Sequence, residues 1–152
     1  MIRRRLLSSA FAGRKRVKSV AERRLVVTGG RNFSDASLVD RALGAVNKKH
    51  GIALLIEGEA TGADSLCRDW AEARGIPVRK FPANWTDLSH PDAVIRSRRD
   101  GSKYDAKAGT RRNQQMIDEG KPDSAIAFPG GNGTADMVWR LGQSGVPVWD
   151  LR

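Results

Sequence analysis

Short apolar runs alternate with longer segments of helical period along most of the chain. The runs are rich in Val, Ile and Leu and are bounded by Gly, Pro or charged residues, as buried strands are. They predict β-strands at residues 25–28, 54–57, 78–81, 125–128 and 146–149. This alternation of strand and helix favours an α/β fold, a Rossmann-like parallel sheet of about five strands with helices on both faces.

The helices are marked by their ends as well as by their period. Ser34 or Asp35 is suited to cap the first helix, and Gly51 is suited to end it. The remaining helices are expected at residues 63–74, 111–119 and 134–143. Trp70, Trp139 and Trp149 are expected to pack in the interior.

Residues 82–108 interrupt the alternation, because they lack a sustained period and contain several charged residues together with proline and glycine. We expect a long loop here. A loop of this length in a compact domain is typical either of a lid or binding loop or of a disordered insertion.

The basic charge of the chain is concentrated in its first residues. A length of 152 residues and an apolar fraction of 39% suit one domain, expected at residues 24–152. Residues 1–24 contain nine of the 27 Lys and Arg and one of the 17 acids, and so carry +8 of the formal net charge of +10. Residues 1–23 are therefore expected to form a flexible basic tail.

That tail has several interpretations. It suits non-specific contact with nucleic acid or with an anionic surface. Its composition also resembles that of an organelle transit peptide and equally fits a start site assigned too far upstream. The alternative without a function is a mobile solvated tail.

Other features narrow the class of protein. The single cysteine, Cys67, excludes an intrachain disulfide and favours a reducing, cytoplasmic compartment. No apolar run is long enough to cross a bilayer, so no membrane association is expected. His50 and His90 are isolated, and neither GxxxxGK[ST] nor GxGxxG occurs, so no metal and no cofactor is expected.

Three turns rich in small residues follow predicted strands, at residues 28–32, 58–64 and 129–134. The carboxyl ends of parallel strands meet at one edge of a sheet, where the next helix presents unpaired N–H groups that bind anions. Glycine lets the backbone approach a phosphate closely. Arg31 is suited to pair with a phosphate, Thr134 to donate a hydroxyl, and Trp85 to stack on a base.

Four motifs carry a resemblance to a known family. They are VTGGRNF at 27–33, GEATGAD at 58–64, AGTRRNQQM at 108–116 and FPGGNGTADM at 128–137. Together they resemble the SLOG superfamily of Rossmann-like nucleotide-binding domains, most closely its bacterial and phage branch related to YspA and YpsA. The chain is more distantly similar to the LOG-type phosphoribohydrolases, formerly called lysine decarboxylases, and to the DNA-processing protein of transformation.

The resemblance implies roles for particular residues. In the phosphoribohydrolases the PGGxGT loop holds the 5′-phosphate, and an arginine four residues before a methionine assists cleavage, which corresponds to Arg112 before Met116. The glutamate of that family falls on Met137, which we expect to be a core residue instead. Asp136 is the neighbouring carboxylate, so Arg112 and Asp136 are the candidate catalytic residues.

The candidate ligand-binding residues combine the turns with the segment around the arginine. They are Gly29, Gly30, Arg31, Gly62, Arg112, Asn113, Gly130, Gly131, Gly133 and Thr134. Asn113 is suited either to contact a base or ribose or to brace a loop.

Three functions follow as hypotheses. The leading one is binding or sensing of a nucleotide or nucleotide-derived small molecule through the Gly-rich phosphate loops. The second is an N-glycosidase that acts on nucleoside 5′-monophosphates, and the third is nucleic-acid binding through the basic tail. The resemblance also implies a possible homodimer.

Overall fold

The computed structural model describes residues 22–152, so the tail expected at residues 1–23 lies outside the described residues except for its last two positions. In chain order the elements are β1 (Arg23–Thr28), α1 (Ala36–Lys49), β2 (Ile52–Glu57), α2 (Ala63–Ala73), β3 (Val78–Lys80), β4 (Ile95–Ser97), β5 (Lys103–Asp105), α3 (Ala108–Asp118), β6 (Ser124–Ala127), α4 (Asn132–Gln143) and β7 (Val148–Asp150).

Five strands form one sheet in the order β3-β2-β1-β6-β7, and every pair in it is parallel. The central strand β1 places Val26 beside Ile56 of β2 and Ala125 of β6, and all three side chains are buried. The predicted five-stranded parallel α/β sheet is confirmed. Because the strand order reverses at β1, the carboxyl ends of β1 and its neighbours border the crevice in which such sheets hold ligands.

The sheet has a core on each face, which follows from the period of two along β1. Leu25 and Val27 point to the face covered by α1 and α2, where Leu43 and Trp70 pack against them. The alternate residue Val26 points to the other face.

That second face is covered by α3 and α4 through Met116, Met137 and Leu141. Met137 is fully buried, so its expected place in the core is confirmed. Helices on both faces of the sheet are confirmed as well.

One helix end agrees with expectation and two differ. Asp35 caps α1, as expected, by accepting the amide of Leu38 at 3.0 Å. α3 begins at Ala108 rather than near residue 111, and α4 begins at Asn132 rather than near residue 134. Both helices therefore carry their N-terminal turns further towards the Gly-rich turns than the hydrophobic period alone indicates.

The segment at residues 82–108 is not a loop throughout. It contains an antiparallel hairpin in which β4 and β5 pair Ser97 with Lys103 and Ile95 with Asp105. The Asp105 carboxylate is buried and accepts the amides of Val94 and Lys107 at 3.0 and 2.9 Å. The hairpin was missed because its stability comes from this polar anchor rather than from an apolar face.

Two of the tryptophans expected inside the protein are exposed. Trp70 is 8% exposed and confirms the prediction, but Trp139 is 61% exposed and Trp149 is 45% exposed. Trp139 lies two residues after Met137, which turns it about 200° around α4 and away from the core. Trp149 belongs to β7, the strand at the edge of the sheet.

Within residues 22–152, none of the helices is long and apolar enough to span a bilayer. The same part of the chain contains no cluster of three or more His, Cys, Asp or Glu residues with the geometry of a metal site.

Candidate functional site

The three Gly-rich turns meet at one edge of the sheet. The amide of Gly30 donates to the carbonyl of Pro129 at 2.8 Å, which joins the first turn to the third. The carbonyl of Gly30 accepts the amide of Ala63 at 3.1 Å, which joins the first turn to the second. Gly30 is thus the point at which all three turns are connected.

Two of the glycines are required by this close approach of backbones. Gly62 has a φ of +77°, and a Cβ there would overlap the carbonyl of Gly30. A Cβ on Gly130 would lie 2.6 Å from the amide nitrogen of Gly30. These two glycines allow the turns to pack against one another.

The turns surround a cavity of about 450 Å³ at this edge. Eight of the predicted ligand-binding residues line it, namely Gly29, Gly30, Arg31, Arg112, Asn113, Gly131, Gly133 and Thr134. The other two, Gly62 and Gly130, lie behind the wall and support it. Asp136 is not part of the lining either.

The third turn presents open backbone donors to the cavity. Gly131 is the N-cap of α4 and provides no side-chain cap, and a Cβ on Gly131 or Gly133 would meet no protein atom within 4 Å. The amides of Asn132, Gly133 and Thr134 belong to the first helical turn and have no acceptor among the described residues. The positive end of the α4 dipole therefore faces the cavity with unpaired N–H groups.

Two arginines line the same cavity. Arg112 donates through Nη1 to the carbonyls of Gly58 and Phe81, the latter at 3.2 Å. Burial lowers the pKa of Arg112; the Asp64 carboxylate acts in the opposite direction, and the nearby positive charge of Arg31 lowers the pKa further. An anion in the cavity would relieve this repulsion between the two guanidinium groups.

Asp64 organises the second turn. It is buried, and its Oδ2 accepts the amides of Gly58 and Ala60 at 3.1 and 3.3 Å. Burial raises the pKa of Asp64 above its ordinary value, although these hydrogen bonds and the charge of Arg112 act in the opposite direction. Asp64 lies in the first turn of α2, and its contacts with the preceding turn are a feature that the sequence analysis missed.

Glu57 is fully buried beneath that turn. It pairs with Arg68 at 2.9 Å and accepts the amide of Glu59 at 2.6 Å. Burial raises the pKa of Glu57, and the neighbouring Asp64 raises it further. Its contacts are made within the protein rather than with the cavity.

Asn113 and Asp136 join α3 to α4. Asn113 donates through Nδ2 to the carbonyl of Gly133 at 3.2 Å and to Asp136 Oδ2 at 3.0 Å. The same Asp136 oxygen accepts Arg140 Nε at 2.8 Å. Asn113 thus braces the third turn while lining the cavity, and the Asp136 carboxylate is held by two neighbouring side chains.

The first turn of α3 also lines the cavity, through Gly109 and Thr110, and sequence reasoning missed both residues. Gly109 lies against Trp85, since a Cβ there would approach the ring to 2.8 Å. The Arg31 guanidinium stacks over the Trp85 ring with its central carbon 5.0 Å from the ring centroid. The run of small residues at 108–110 is the signal that would have located this wall.

Residues 23–87 match the YAcAr family model, described as the YspA, cpYpsA-related SLOG family. The match confirms the resemblance inferred from the motifs at residues 27–33 and 58–64, and likeness to this family suggests a nucleotide-related, small-molecule ligand. It covers the first two turns and Trp85, whereas the third turn and α3 lie beyond the matched residues. No curated protein matches the chain.

Proposed function

We propose that this protein binds a nucleotide or nucleotide-derived ligand, with a phosphate group held at the N-terminus of α4. One observation carries the proposal: the unpaired amides of Asn132, Gly133 and Thr134 face the same cavity as Arg31 and Arg112.

The phosphate end of the cavity combines three sources of positive potential. Backbone amides and the α4 dipole stabilise an anion without the entropy cost of ordering long side chains. Arg31 adds a guanidinium that forms no salt bridge within residues 22–152. A phosphate has both the charge and the several acceptor oxygens that this set of donors requires.

The remaining lining of the cavity suits a nucleoside. Trp85 supplies an aromatic surface next to Arg31, and Thr110 and Asn113 supply polar groups. Stacking on an aromatic ring is a common way to hold a base. A volume of about 450 Å³ is also within the range of small-molecule sites.

Binding is better supported than cleavage of the N-glycosidic bond. Cleavage benefits from a carboxylate beside the sugar, where positive charge develops. Met137 occupies the position of the family glutamate and is fully buried in the core, and Asp136 is held by Asn113 and Arg140. Among the described residues, Asp64 is the one carboxylate that lines the cavity, and its Oδ2 already accepts two amides.

Isothermal titration of the full chain with AMP, GMP, ADP and ADP-ribose tests the proposal, with adenosine and guanosine as matched ligands that lack phosphate. We expect saturable binding of at least one phosphorylated ligand and much weaker binding of its nucleoside. Absence of saturable binding by every phosphorylated ligand would overturn the proposal. Chromatography of the same mixtures after incubation is expected to detect no released base, and release that is lost in Arg112→Ala would establish the hydrolase instead.

A further inference from the structure

A second cavity lies beside the first, between the sheet edge and the β4–β5 hairpin. Its volume is about 530 Å³, and its lining is Arg31, Trp85, Ser97, Arg98, Arg99 and Tyr104. Four of these residues belong to the hairpin. Those four hairpin residues have no part in the function proposed above.

The two cavities share a wall. Arg31 and Trp85 line both of them. The Trp85 ring lies edge-on to Tyr104, with ring centroids 6.4 Å apart, and the Arg98 guanidinium stacks over Tyr104 at 4.6 Å. The two aromatic rings therefore lie together between the guanidinium groups of Arg31 and Arg98.

The second cavity is strongly positive. Three of its six lining residues are arginines and none is an acid. Within residues 22–152, Arg31, Arg98 and Arg99 form no salt bridge. A guanidinium stacked flat on an aromatic ring keeps its N–H edges available, so Arg98 can stack on Tyr104 and still bind a phosphate.

The hairpin that carries these residues is held firmly in place. Arg111 of α3 pairs with the buried Asp105 at 2.9 Å and with Asp92 at 2.7 Å. The amide of Asp105 donates to the carbonyl of Trp85 at 2.8 Å, and the tip is closed by the amide of Arg98 donating to the carbonyl of Ser102 at 2.8 Å. A cavity on an anchored hairpin is preorganised for a ligand.

We infer that the ligand has two nucleotide units, and that the hairpin cavity holds the second. The first phosphate lies at α4, as proposed above, and the second is bound by Arg98 and Arg99, with Tyr104 beside the second base. The inference rests on the proposed function for the first unit. Each cavity has a volume suited to one small-ligand unit, and the second repeats the combination of guanidinium and aromatic ring that suits a phosphate with a base.

Titration with the 5′-phosphorylated dinucleotide pApA and with AMP separates the two cavities. The test variant is Arg98→Gln/Arg99→Gln. The control is Arg96→Gln/Lys103→Gln, which removes the same charge from the same hairpin at positions outside the cavity lining. Thermal unfolding of both variants verifies that the hairpin and the domain still fold.

We expect wild type to bind pApA roughly tenfold or more tightly than AMP, because the second phosphate gains charged hydrogen bonds from Arg98 and Arg99. Arg98→Gln/Arg99→Gln is expected to remove most of that advantage while its affinity for AMP stays close to that of wild type. The control variant is expected to retain the advantage.

Three results would overturn the inference. One is equal affinity of wild type for AMP and pApA, which leaves the proposed function intact. Another is an equal loss of pApA affinity in both variants, since the net charge of the hairpin, and not the position of Arg98 and Arg99, would then determine the affinity. The third is tighter binding of a longer 5′-phosphorylated oligoadenylate than of pApA, since the ligand would then be a strand that passes through the hairpin cavity. If no nucleotide binds at all, the proposed function itself fails.

Discussion

Asp64 and Arg112 hold the same peptide segment from opposite sides. The Asp64 carboxylate accepts the amide of Gly58 at 3.1 Å, and the Arg112 guanidinium donates to the Gly58 carbonyl. A side chain at Gly58 would collide with that guanidinium. The second turn is therefore fixed between α2 and α3, and its shape depends on a buried acid whose charge is costly.

This cost predicts a pH dependence of stability. Burial raises the pKa of Asp64, so the folded protein binds its proton more tightly than the unfolded chain does. The contribution of Asp64 to the free energy of unfolding is therefore largest below about pH 4 and falls as pH rises through the raised pKa. Asp64→Asn, which keeps an acceptor for the Gly58 amide, is expected to gain stability relative to wild type between low and neutral pH.

Urea unfolding across that pH range measures the effect. Asp69→Asn, an exposed position on the same helix, is the matched control and is expected to show little change. Asp64→Ala removes the acceptor and is expected to cost about 1–3 kcal/mol. A steady loss of stability by Asp64→Asn relative to wild type as pH rises would contradict this explanation.

A second prediction concerns the anchor of the hairpin. Asp105→Ala removes the acceptor of two amides and the partner of Arg111, so β4 and β5 are expected to separate from α3. Hydrogen exchange is expected to become faster at the amides of Val94 and Lys107, while β1 and β2 remain protected. Asp100→Ala, in the exposed turn of the same hairpin, serves as the control.

The same anchor predicts a response to acid. Burial acts to raise the pKa of Asp105, but the amides of Lys107 and Val94 and the Arg111 guanidinium outweigh it, so the pKa lies below its ordinary value. The ionised Asp105 carboxylate therefore stabilises the hairpin at pH values above the ordinary pKa of aspartate. This stabilisation is lost as the pH falls through the lowered pKa of Asp105. Equal hairpin protection in Asp105→Ala and wild type at neutral pH would show that the anchor is elsewhere.

The sequence predicted the sheet and its turns because both are encoded locally. Each strand is a short apolar run, and each turn is a contiguous group of small residues after a strand, so the parallel topology brings them to one edge. The hairpin was different. Ile95 is 51% exposed, and β4 and β5 bury little apolar surface, so no hydrophobic pattern marks them.

The sequence predicted only those parts of the site that are encoded locally. Sequence reasoning identified the glycines but had no means to separate Gly131, which opens onto the cavity, from Gly130, which packs against Gly30 and Thr134. That distinction depends on distances between turns far apart in the chain. The start of α3 at Ala108 was missed because the residues before Arg111 are small and show no helical period.

Inorganic phosphate is expected to stabilise the protein by binding between Arg31 and the amides of α4. Preferential binding to the folded state raises the Tm, by roughly a few degrees at concentrations well above the Kd. Arg31→Gln is expected to reduce the shift, whereas Arg41→Gln, which removes a cation from the exposed face of α1, is expected to leave it unchanged. Differential scanning calorimetry with phosphate and with chloride at equal ionic strength measures both shifts, and identical behaviour of the two variants would argue against a phosphate site at Arg31.

The central claim, that a phosphate occupies the space in front of the α4 N-terminus, is tested most directly at Gly131. No protein atom lies within 4 Å of a Cβ there, so the side chain of Gly131→Leu fills the cavity without displacing other residues, and thermal unfolding verifies that the variant is folded. Gly142→Leu, at an equally open position near the other end of α4, is the control. Isothermal titration with the tightest-binding nucleotide is expected to show a loss of binding in Gly131→Leu and wild-type affinity in Gly142→Leu, with both variants folded; wild-type affinity in Gly131→Leu would contradict the account.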